Sequence, residues 1–175
     1  LLSLSAAHDF QLRPEDLNLL LERSLLLVQT ELSAAHIQVV RGLAPGLPPA
    51  MCDHGKIQQV LINLFINAIQ AMPQGGTLTV STRRLSFSEK TGAAFLRQFQ
   101  PTDGLVAVEV QDTGTGIAEE HLPRIFDPFF TTKPVGIGTG LGLTVTKRIV
   151  DLHGGALEIE NASPRGVLAT IILKT

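Results

Sequence analysis

The stretch "VGIGTGLGL", residues 135–143, places glycine at every second position four times in succession. The apolar pattern that follows predicts a helix from about Gly140 to His153, so the glycines lead directly into a helix. The first N–H groups of a helix are unpaired and carry about half a positive charge, and bare backbone lets a phosphate approach them. The stretch therefore favours a phosphate site, with a hinge or a tight loop as the alternative.

Two common glycine motifs do not fit this stretch. A Walker loop needs a lysine directly after its last glycine, and none follows here. A dinucleotide fingerprint needs its third glycine where this chain carries Leu141 and Val145. We therefore expect a phosphate site of another kind.

The second predicted helix begins after Asp53, ends at "MPQGG" (72–76) and carries a row of carboxamides. At about 100° per residue, the four amides fall within about 80° of one another, opposite an apolar face. A solvent face usually carries Lys and Glu, so a ligand-binding or metal-binding face is favoured over plain solvation. Asn67 offers one neutral oxygen to Mg²⁺, with water and phosphates as further ligands. The row consists of Gln59, Asn63, Asn67 and Gln70.

Asp112 ends a predicted strand, "LVAVEVQD" (105–112), in which valines occupy alternate positions. Its carboxylate therefore points inward with the valines, where it needs hydrogen-bond donors. Two interpretations stay open: it caps its own turn, or it accepts from the exocyclic amine of adenine, where guanine has a carbonyl. Gly114 and Gly116 would let a base lie against the backbone. Together, an adenine acceptor, a magnesium amide and a phosphate loop specify Mg-ATP.

The remaining pattern predicts an α+β fold, with three main helices layered on a mixed β-sheet. The loop Gly114–Gly138 is longer than most connections and is a candidate lid. Residues 86–104 follow neither period and stay unassigned. Residues 1–12 are interpreted as the end of an upstream linker or dimerisation helix, and residues 13–175 as the domain itself. The predicted helices span 16–35, 53–72 and 140–153, and the predicted strands span 37–40, 77–85, 105–112, 156–160 and 167–173.

The bulk composition fits one globular domain with a real core, since 44% of the 175 residues are hydrophobic. A net charge of −2 with scattered basic residues argues against a nucleic-acid partner. The sequence has no run of about 18 apolar residues and nothing shaped like a signal peptide. Cys52 is the single cysteine and has no metal-ligand spacing around it. We expect a cytoplasmic piece without direct membrane contact, and the start at Leu1 rather than Met predicts a fragment.

Four motifs in order resemble the N, G1, F and G2 boxes of the catalytic, ATP-binding domain of sensor histidine kinases. The resemblance covers roughly Phe10 to Lys174, and four boxes in one order are far more specific than any single box. The stretches "NAIQAMPQGG" and "FDPFFTTK" also resemble the nitrogen-regulation type of these kinases. The four motifs are Asn63-x-x-x-Asn67-Ala68, Asp112-x-Gly114-x-Gly116, "FDPFFTTK" (126–133) and Gly138-Thr139-Gly140-Leu141-Gly142-Leu143.

The resemblance implies a two-layer α/β sandwich of the Bergerat type, with ATP between the helix layer and a mobile lid. It implies that Asn67 coordinates Mg²⁺ and that Asn63 and Gln70 line the phosphate end. Asp112 would bind the adenine amine, and Thr170 would support Asp112 through a hydroxyl or a water. The expected ATP-binding residues are Asn63, Asn67, Gln70, Asp112, Gly114, Gly116, Ile117, Thr131, Thr132, Lys133, Gly138, Thr139, Gly140, Leu141, Gly142, Leu143 and Thr170, and the expected catalytic residues are Asn63, Asn67 and Lys133.

Further roles implied by the resemblance concern the lid and the glycine loop. Backbone N–H groups of Thr139 to Gly142 would take the phosphates. Lys133 is the cation expected to reach them, with plain solvation of this lysine as the alternative. Three aromatic residues are interpreted as lid core rather than ligand contacts. These are Phe126, Phe129 and Phe130.

The chain departs from the family pattern at three places. The Gly136-Ile137 pair precedes the G2 box where many relatives have one residue or a different loop, which affects lid contacts. Leu168 stands at the second glycine of a frequent motif in the last strand, which alters packing only. Gln70 replaces a residue that is basic in many relatives. Phosphate neutralisation is therefore left more to Mg²⁺ and Lys133.

The implied reaction transfers the γ-phosphoryl group of ATP to an imidazole of a separate dimerisation domain. His8, in "AHDFQLRP" (7–14), lies too close to the first predicted helix for the long helical hairpin that carries the accepting histidine, so it is interpreted as linker. The expected partners are the dimerisation domain of the same parent protein, a response regulator, and a second copy of the parent.

Two other functions are compared with the kinase. Related ATPases carry a glutamate at the position of Asn63 to take a proton from water, and a carboxamide cannot do this, so the sequence favours a kinase over a hydrolase. A nucleotide-sensing module without catalysis is the third possibility. The intact Asn67 and glycine loop argue against it.

Overall fold

The computed structural model describes residues 9–86, 98–133, 140 and 142–175 of the chain. Within these residues, no helix is long and apolar enough to cross a bilayer. A short 3-10 turn covers Leu122–Arg124. The helices are α1 Leu17–Leu27, α2 Gln29–Ala34, α3 His54–Ala71 and α4 Gly142–Leu152, and the strands are β1 Arg13–Glu15, β2 Ile37–Leu43, β3 Ala50–Cys52, β4 Gly76–Leu85, β5 Leu105–Asp112, β6 Ala156–Asn161 and β7 Val167–Lys174.

Five of the strands form one mixed sheet in the order β2-β4-β5-β7-β6. The β2–β4 pair is parallel and the other three pairs are antiparallel. Helices α1, α3 and α4 pack side by side, with α3 between the other two. Their apolar side chains share one core with one face of the sheet. This confirms the predicted α+β sandwich with three main helices on a mixed sheet.

Helix α3 supplies the centre of the helix layer. The Asp53 side chain caps it by accepting from the Lys56 N–H at 3.1 Å, at the position where the sequence predicted the helix to begin. Leu61, Phe65 and Ala68 are buried on its core side. The row of amides lies on the opposite side, so burial of the apolar face fixes where the amides point.

The first predicted helix differs from the structure, because α1 and α2 are separate helices. Val28 joins them with φ −111° and ψ 14°, and its N–H bonds to the Leu25 carbonyl, three residues back. A β-branched residue is less favourable in a helix than its unbranched neighbours. Val28 and Leu32 are nevertheless both buried, so the apolar period continues across the break and hides it.

The two-stranded sheet formed by β1 and β3 was not expected from the sequence. Its strands pair antiparallel, with Arg13 opposite Cys52 and Glu15 opposite Ala50. Three residues are too few to show an alternating pattern, which is why the periodicity misses both strands. Residues 1–8, including His8, lie outside the described residues.

The sheet also buries side chains on the face away from the helices. Phe99 packs there with Leu105 and Ile172, among other residues of a second apolar cluster. Phe99 belongs to the segment 86–104 that the periodicity left unassigned. Residues 87–97 of that segment lie outside the described residues.

His153 links the end of α4 to the start of α3. The ring is buried, its Nδ1 lies 2.7 Å from the Ile149 carbonyl, and its Nε2 accepts from the Asp53 N–H at 3.0 Å. Phe10 meets the ring edge-on, with 4.8 Å between centroids. These contacts fix a neutral imidazole with the proton on Nδ1.

We expect folding stability to fall as the pH drops below 6.5, because burial lowers the pKa of His153 from that value. Because the pKa of His153 is lower in the folded state than in the unfolded state, the ring contributes stability at pH values above 6.5. This stability is lost as the pH falls through the pKa of the folded state. Protonated Nε2 would face the Asp53 N–H, donor against donor. Thermal melts at a series of pH values measure the effect.

The variant His153→Ala should lose about 2 kcal/mol at pH 7.5, since it leaves the Asp53 N–H without its acceptor. Its melts should also lose part of the acid dependence between pH 7 and 5. Replacement of the exposed His54 by Gln serves as the control on α3. Equal acid dependence in wild type and His153→Ala would contradict this role of the ring.

Candidate functional site

A cavity of about 440 Å³ opens between α3, the sheet and the loop that follows β5. This volume lies within the range of small-molecule sites in proteins. It brings together most of the site residues that the sequence predicted. Those that line it are Asn63, Asn67, Gln70, Asp112, Gly116, Ile117, Thr131, Thr132, Lys133, Gly140, Gly142 and Leu143.

Two predicted site residues do not line the cavity. Gly114 packs against the backbone of Ala71 at the end of α3. Thr170 pairs with Glu109 and shares a sheet face with Ile172, which belongs to the apolar cluster away from the helices. Three further predicted residues, Gly138, Thr139 and Leu141, lie outside the described residues.

The expected support of Asp112 by Thr170 is therefore corrected. Asp112 lies on the helix side of the sheet, whereas the Thr170 hydroxyl is on the other side. The residues of β7 that line the cavity are Val167 and Ala169. The support that Asp112 receives from β7 comes from the backbone of Val167 instead.

Asp112 is 5% exposed, and its hydrogen bonds bear on the first of its two interpretations, the turn cap. Its Oδ1 accepts from the Gly114 N–H at 2.8 Å and from the Val167 N–H at 3.3 Å. The first of these bonds is the predicted turn cap. Both bonds from the described residues reach Oδ1, so Oδ2 is left for a ligand in the cavity.

Burial raises the pKa of Asp112 above its ordinary value, while the two backbone hydrogen bonds act in the opposite direction. The bonds thus offset part of the cost of burying the charge. An inward carboxylate with one saturated oxygen and one open oxygen is a directed hydrogen-bond acceptor.

The amides of α3 are held in place by side chains from two other elements. Asn63 Nδ2 lies 3.4 Å from the Thr146 hydroxyl of α4, a long hydrogen bond. Lys133 Nζ donates to Asn67 Oδ1 at 3.1 Å and also to Gln70 Oε1. Burial lowers the pKa of Lys133. Thr146 is a positioning residue that the sequence did not reveal, although it lies one helical turn after Gly142.

Asn67 fits a magnesium site in which phosphate oxygens of a nucleotide would be further ligands of the metal. Its Oδ1 is a neutral oxygen in the cavity that already holds one cation, the Lys133 ammonium. In the described part of the chain, no group of three or more Asp, Glu, His or Cys could hold a metal by itself. Mg²⁺ is commonly held by few protein oxygens together with water and phosphates. The donor set suits that arrangement.

The start of α4 closes one side of the cavity. Gly142 and Leu143, its first residues, line the site, so unpaired N–H groups of the helix lie beside it. Gly140 adopts φ +69°, and a Cβ there would collide with the Phe129 backbone. The Phe129 N–H bonds to the Gly140 carbonyl at 3.0 Å. This glycine is therefore needed to bring the loop against the helix start.

The three phenylalanines of the loop occupy different environments. Phe126 packs against the main core of the domain. Phe129 is 75% exposed. Phe130 lines the cavity, and the Arg124 guanidinium lies 4.6 Å from its ring centroid. Phe130 is thus placed to contact a ligand, whereas the sequence analysis assigned it to the lid core.

Apolar residues of the sheet and loop complete the lining. Val110, Ile159 and Ala169 come from adjacent strands, and Ile125 comes from the loop. The sequence marks Val110 through the alternation of β5. It does not mark Ile159 or Ala169, because register across β6 and β7 decides which side they face.

Comparison with known proteins assigns the class. A family model described as "Histidine kinase-, DNA gyrase B-, and HSP90-like ATPase" matches residues 52–175. The match covers more than half of the chain, and the chain belongs to this ATPase family.

Within the family, the relatives of this chain include sensor histidine kinases. The sensor histidine kinase ZraS of Klebsiella oxytoca is 36% identical over 158 residues, which cover 90% of this chain and 30% of ZraS. The chain therefore spans less than a third of the length of that relative. The resemblance of the four boxes to sensor histidine kinases is confirmed.

Solved structures agree with this assignment. The catalytic domain of histidine kinase ThkA superposes with a TM-score of 0.74 at 30% identity, covering 94% of this chain and 97% of that domain. ThkA in complex with the response regulator TrrA gives a TM-score of 0.70 at 27% identity, covering 94% and 42%. Full-length ShkA in complex with AMPPNP gives 0.75 at 25% identity, covering 97% and 32%.

The variant Asp112→Asn is expected to keep or raise the melting temperature and to lose binding of Mg-ADP. The amide has no buried charge, and its Oδ1 still accepts from Gly114 and Val167. Its Nδ2 then faces the adenine amine, donor against donor. Calorimetric titration with Mg-ADP and Mg-GDP, together with a thermal melt, measures both effects.

Glu109→Gln is the matched control, because it neutralises a carboxylate of the same strand on the other sheet face. Its affinity for Mg-ADP should equal that of the wild type. Undiminished ADP binding by Asp112→Asn would show that this carboxylate does not contact the base.

Proposed function

We propose that this domain binds Mg-ATP and donates its γ-phosphoryl group to a histidine of a separate dimerisation domain in the parent protein. The observation that carries the proposal is one cavity that combines an open carboxylate oxygen of Asp112, the Asn67 amide with its bound ammonium, and the start of α4. An adenine base, a magnesium ion and a phosphate chain would satisfy these three features in turn.

Adenine selection is assigned to Asp112. Its Oδ2 accepts from the exocyclic amine of adenine, whereas the carbonyl of guanine would repel it. Val110 and Ala169 supply apolar contact for the base, and Gly116 also lines the cavity. The complex of ShkA with AMPPNP supports an adenine nucleotide as the ligand.

The phosphates are assigned to the start of α4 and to Lys133. Unpaired N–H groups at the helix start bind anionic oxygens. Asn67 would hold a magnesium ion, which neutralises charge on the phosphates when it is bound. Lys133 contacts Asn67 and Gln70 in this structure, and it would exchange those amide oxygens for a phosphate oxygen.

The transfer itself needs positioning and charge neutralisation rather than a protein nucleophile. A neutral imidazole nitrogen attacks the γ-phosphorus, the new N–P bond forms, and the bond to the bridging oxygen breaks to release ADP. No base is needed before the attack. Lys133 and the N–H groups of α4 stabilise the charge on the transferring group.

Asn63 separates this proposal from ATP hydrolysis. Its amide contacts Thr146, which holds it at the wall of the cavity. Water must lose a proton to attack phosphorus, and a carboxamide cannot accept one. A glutamate at this position would serve that purpose, so Asn63 supports a kinase over a hydrolase.

The partners are proposed for the parent protein as a whole. They are its dimerisation and phosphotransfer domain, a second copy of the parent, and a response regulator in the cytoplasm. The structure of ThkA with the response regulator TrrA supports the last of these.

We expect Asn67→Ala to remove the magnesium dependence of ADP binding. The wild type should bind ADP at least about tenfold more tightly with Mg²⁺ than with EDTA, a scale typical of losses at metal sites. In the variant the two affinities should converge, since the neutral oxygen is gone. Calorimetry in the two buffers measures the ratio.

Gln59→Ala is the matched control for Asn67→Ala. Gln59 is an exposed amide on the same side of α3, outside the cavity lining. It should keep the full magnesium effect. An Asn67→Ala variant with an unchanged ratio would refute the magnesium assignment.

The decisive experiment incubates the parent protein with γ-labelled ATP. Label should appear on a histidine, with the acid-labile and base-stable behaviour of a phosphoramidate. His8→Gln should retain labelling, because the accepting histidine is expected outside this chain. Release of free phosphate without labelled protein would favour hydrolysis instead.

A further inference from the structure

The hairpin between β6 and β7 is hydrogen-bonded to the loop that follows β5 and lines the cavity. Asn161, the last residue of β6, uses both ends of its amide on one residue of that loop. Its Oδ1 accepts from the Ile117 N–H at 2.8 Å, and its Nδ2 donates to the Ile117 carbonyl at 2.7 Å. A side-chain amide thus pairs with Ile117 as a neighbouring strand would.

The same hairpin contacts the loop at two further points. The Val167 N–H donates to Asp112 Oδ1 at 3.3 Å, and Arg165 Nε donates to the Gly114 carbonyl at 3.3 Å. Residues 112–117 are therefore held at their beginning, middle and end.

The close approach is built into the hairpin. Gly166 adopts φ +94°, and a Cβ there would collide with the Asp112 carbonyl. The Ala162 N–H bonds to the Gly166 carbonyl at 2.9 Å and closes the hairpin just after Asn161. The backbone of the hairpin tip is thus held in close contact with the loop.

We propose that Asn161 is a positioning residue for base selection, an inference that rests on the proposed binding of ATP. Ile117 and Gly116 line the cavity beside Asp112, and Asn161 fixes the backbone of Ile117. The hairpin holds this wall so that a base is pressed against the Asp112 carboxylate. Asn161 itself is outside the cavity lining and does not contact the ligand.

The hydrogen bonds of Asn161 and Arg165 to the loop are here called the clamp. Loss of the clamp should affect base recognition more than phosphate binding. The Asn67 amide and the start of α4 belong to other elements and keep their positions. Lys133 lies further along the same loop and is held separately by its hydrogen bonds to Asn67 and Gln70. Asp112 also stays, because it ends a central strand. The wall beside it, formed by Gly116 and Ile117, becomes less ordered, so the hydrogen bond between the correct base and Asp112 contributes less to binding.

The test titrates Mg-ADP and Mg-IDP into this chain and its variants. Inosine carries a carbonyl in place of the adenine amine, so the ratio of the two dissociation constants reports base selection. Asn161→Ala should weaken ADP binding about tenfold, the equivalent of two ordinary hydrogen bonds at most, and should weaken IDP binding much less. The ratio should therefore shrink.

Two further variants separate the loss of the clamp from misfolding of the domain. Arg165→Ala truncates an exposed side chain of the same clamp and should shift the ratio in the same direction by a smaller factor. Ser163→Ala, an exposed change at the hairpin tip, should bind as the wild type does. Thermal melts establish that each variant is folded.

Each outcome has one meaning. A wild type that does not prefer ADP over IDP would remove the proposed function on which the inference rests. A wild type with that preference, together with an unchanged ratio in Asn161→Ala and Arg165→Ala, would overturn the role of the clamp. Equal weakening of ADP and IDP would also overturn it, because a merely structural residue would act on both ligands alike.

Discussion

The buried carboxylate of Asp112 constrains the structure around the cavity. A charge at the end of a central strand is costly unless donors meet it, and the donors here are backbone N–H groups of Gly114 and Val167. The chain must therefore turn immediately after β5, and β7 must begin beside that turn. Gly166 follows from the same requirement, because only a residue without Cβ fits against the Asp112 carbonyl. One oxygen is thereby saturated and the other remains for a ligand.

The site is otherwise built from neutral groups and one ammonium. Helix α3 turns its apolar side to the core, so Asn63, Asn67 and Gln70 face the cavity without a buried charge among them. The Lys133 ammonium donates hydrogen bonds to the side-chain oxygens of Asn67 and Gln70. Oriented dipoles that are fixed before the ligand arrives need little rearrangement during a reaction. In the proposed function, the ligand and a magnesium ion would therefore supply most of the charge at the reacting group.

Helix caps and local motifs were predictable because their signals lie within a few residues. Asp16 and Asp53 cap α1 and α3, and both stand where the sequence predicted these helices to begin. The amide row of α3 and the inward direction of Asp112 follow from periods of 3.6 and 2 residues. The role of Thr170 came from the family resemblance, and its strand gives no local signal against that assignment. Residues 169–173 are buried on both faces of the sheet, so no alternation shows which side faces Asp112.

The sequence by itself determined the three main helices, the five strands of the mixed sheet and the sandwich class. It also determined the amide, carboxylate and glycine groups that a nucleotide requires, since short-range periodicity and residue chemistry specify these. Only the tertiary structure decided which side chains meet. Pairing of β7 with β5 brought Val167 rather than Thr170 to the carboxylate. Packing of α4 on α3 placed Thr146 beside Asn63, 83 residues away in the chain. Such contacts depend on strand register and helix packing, because they join residues whose separation leaves no trace in local sequence.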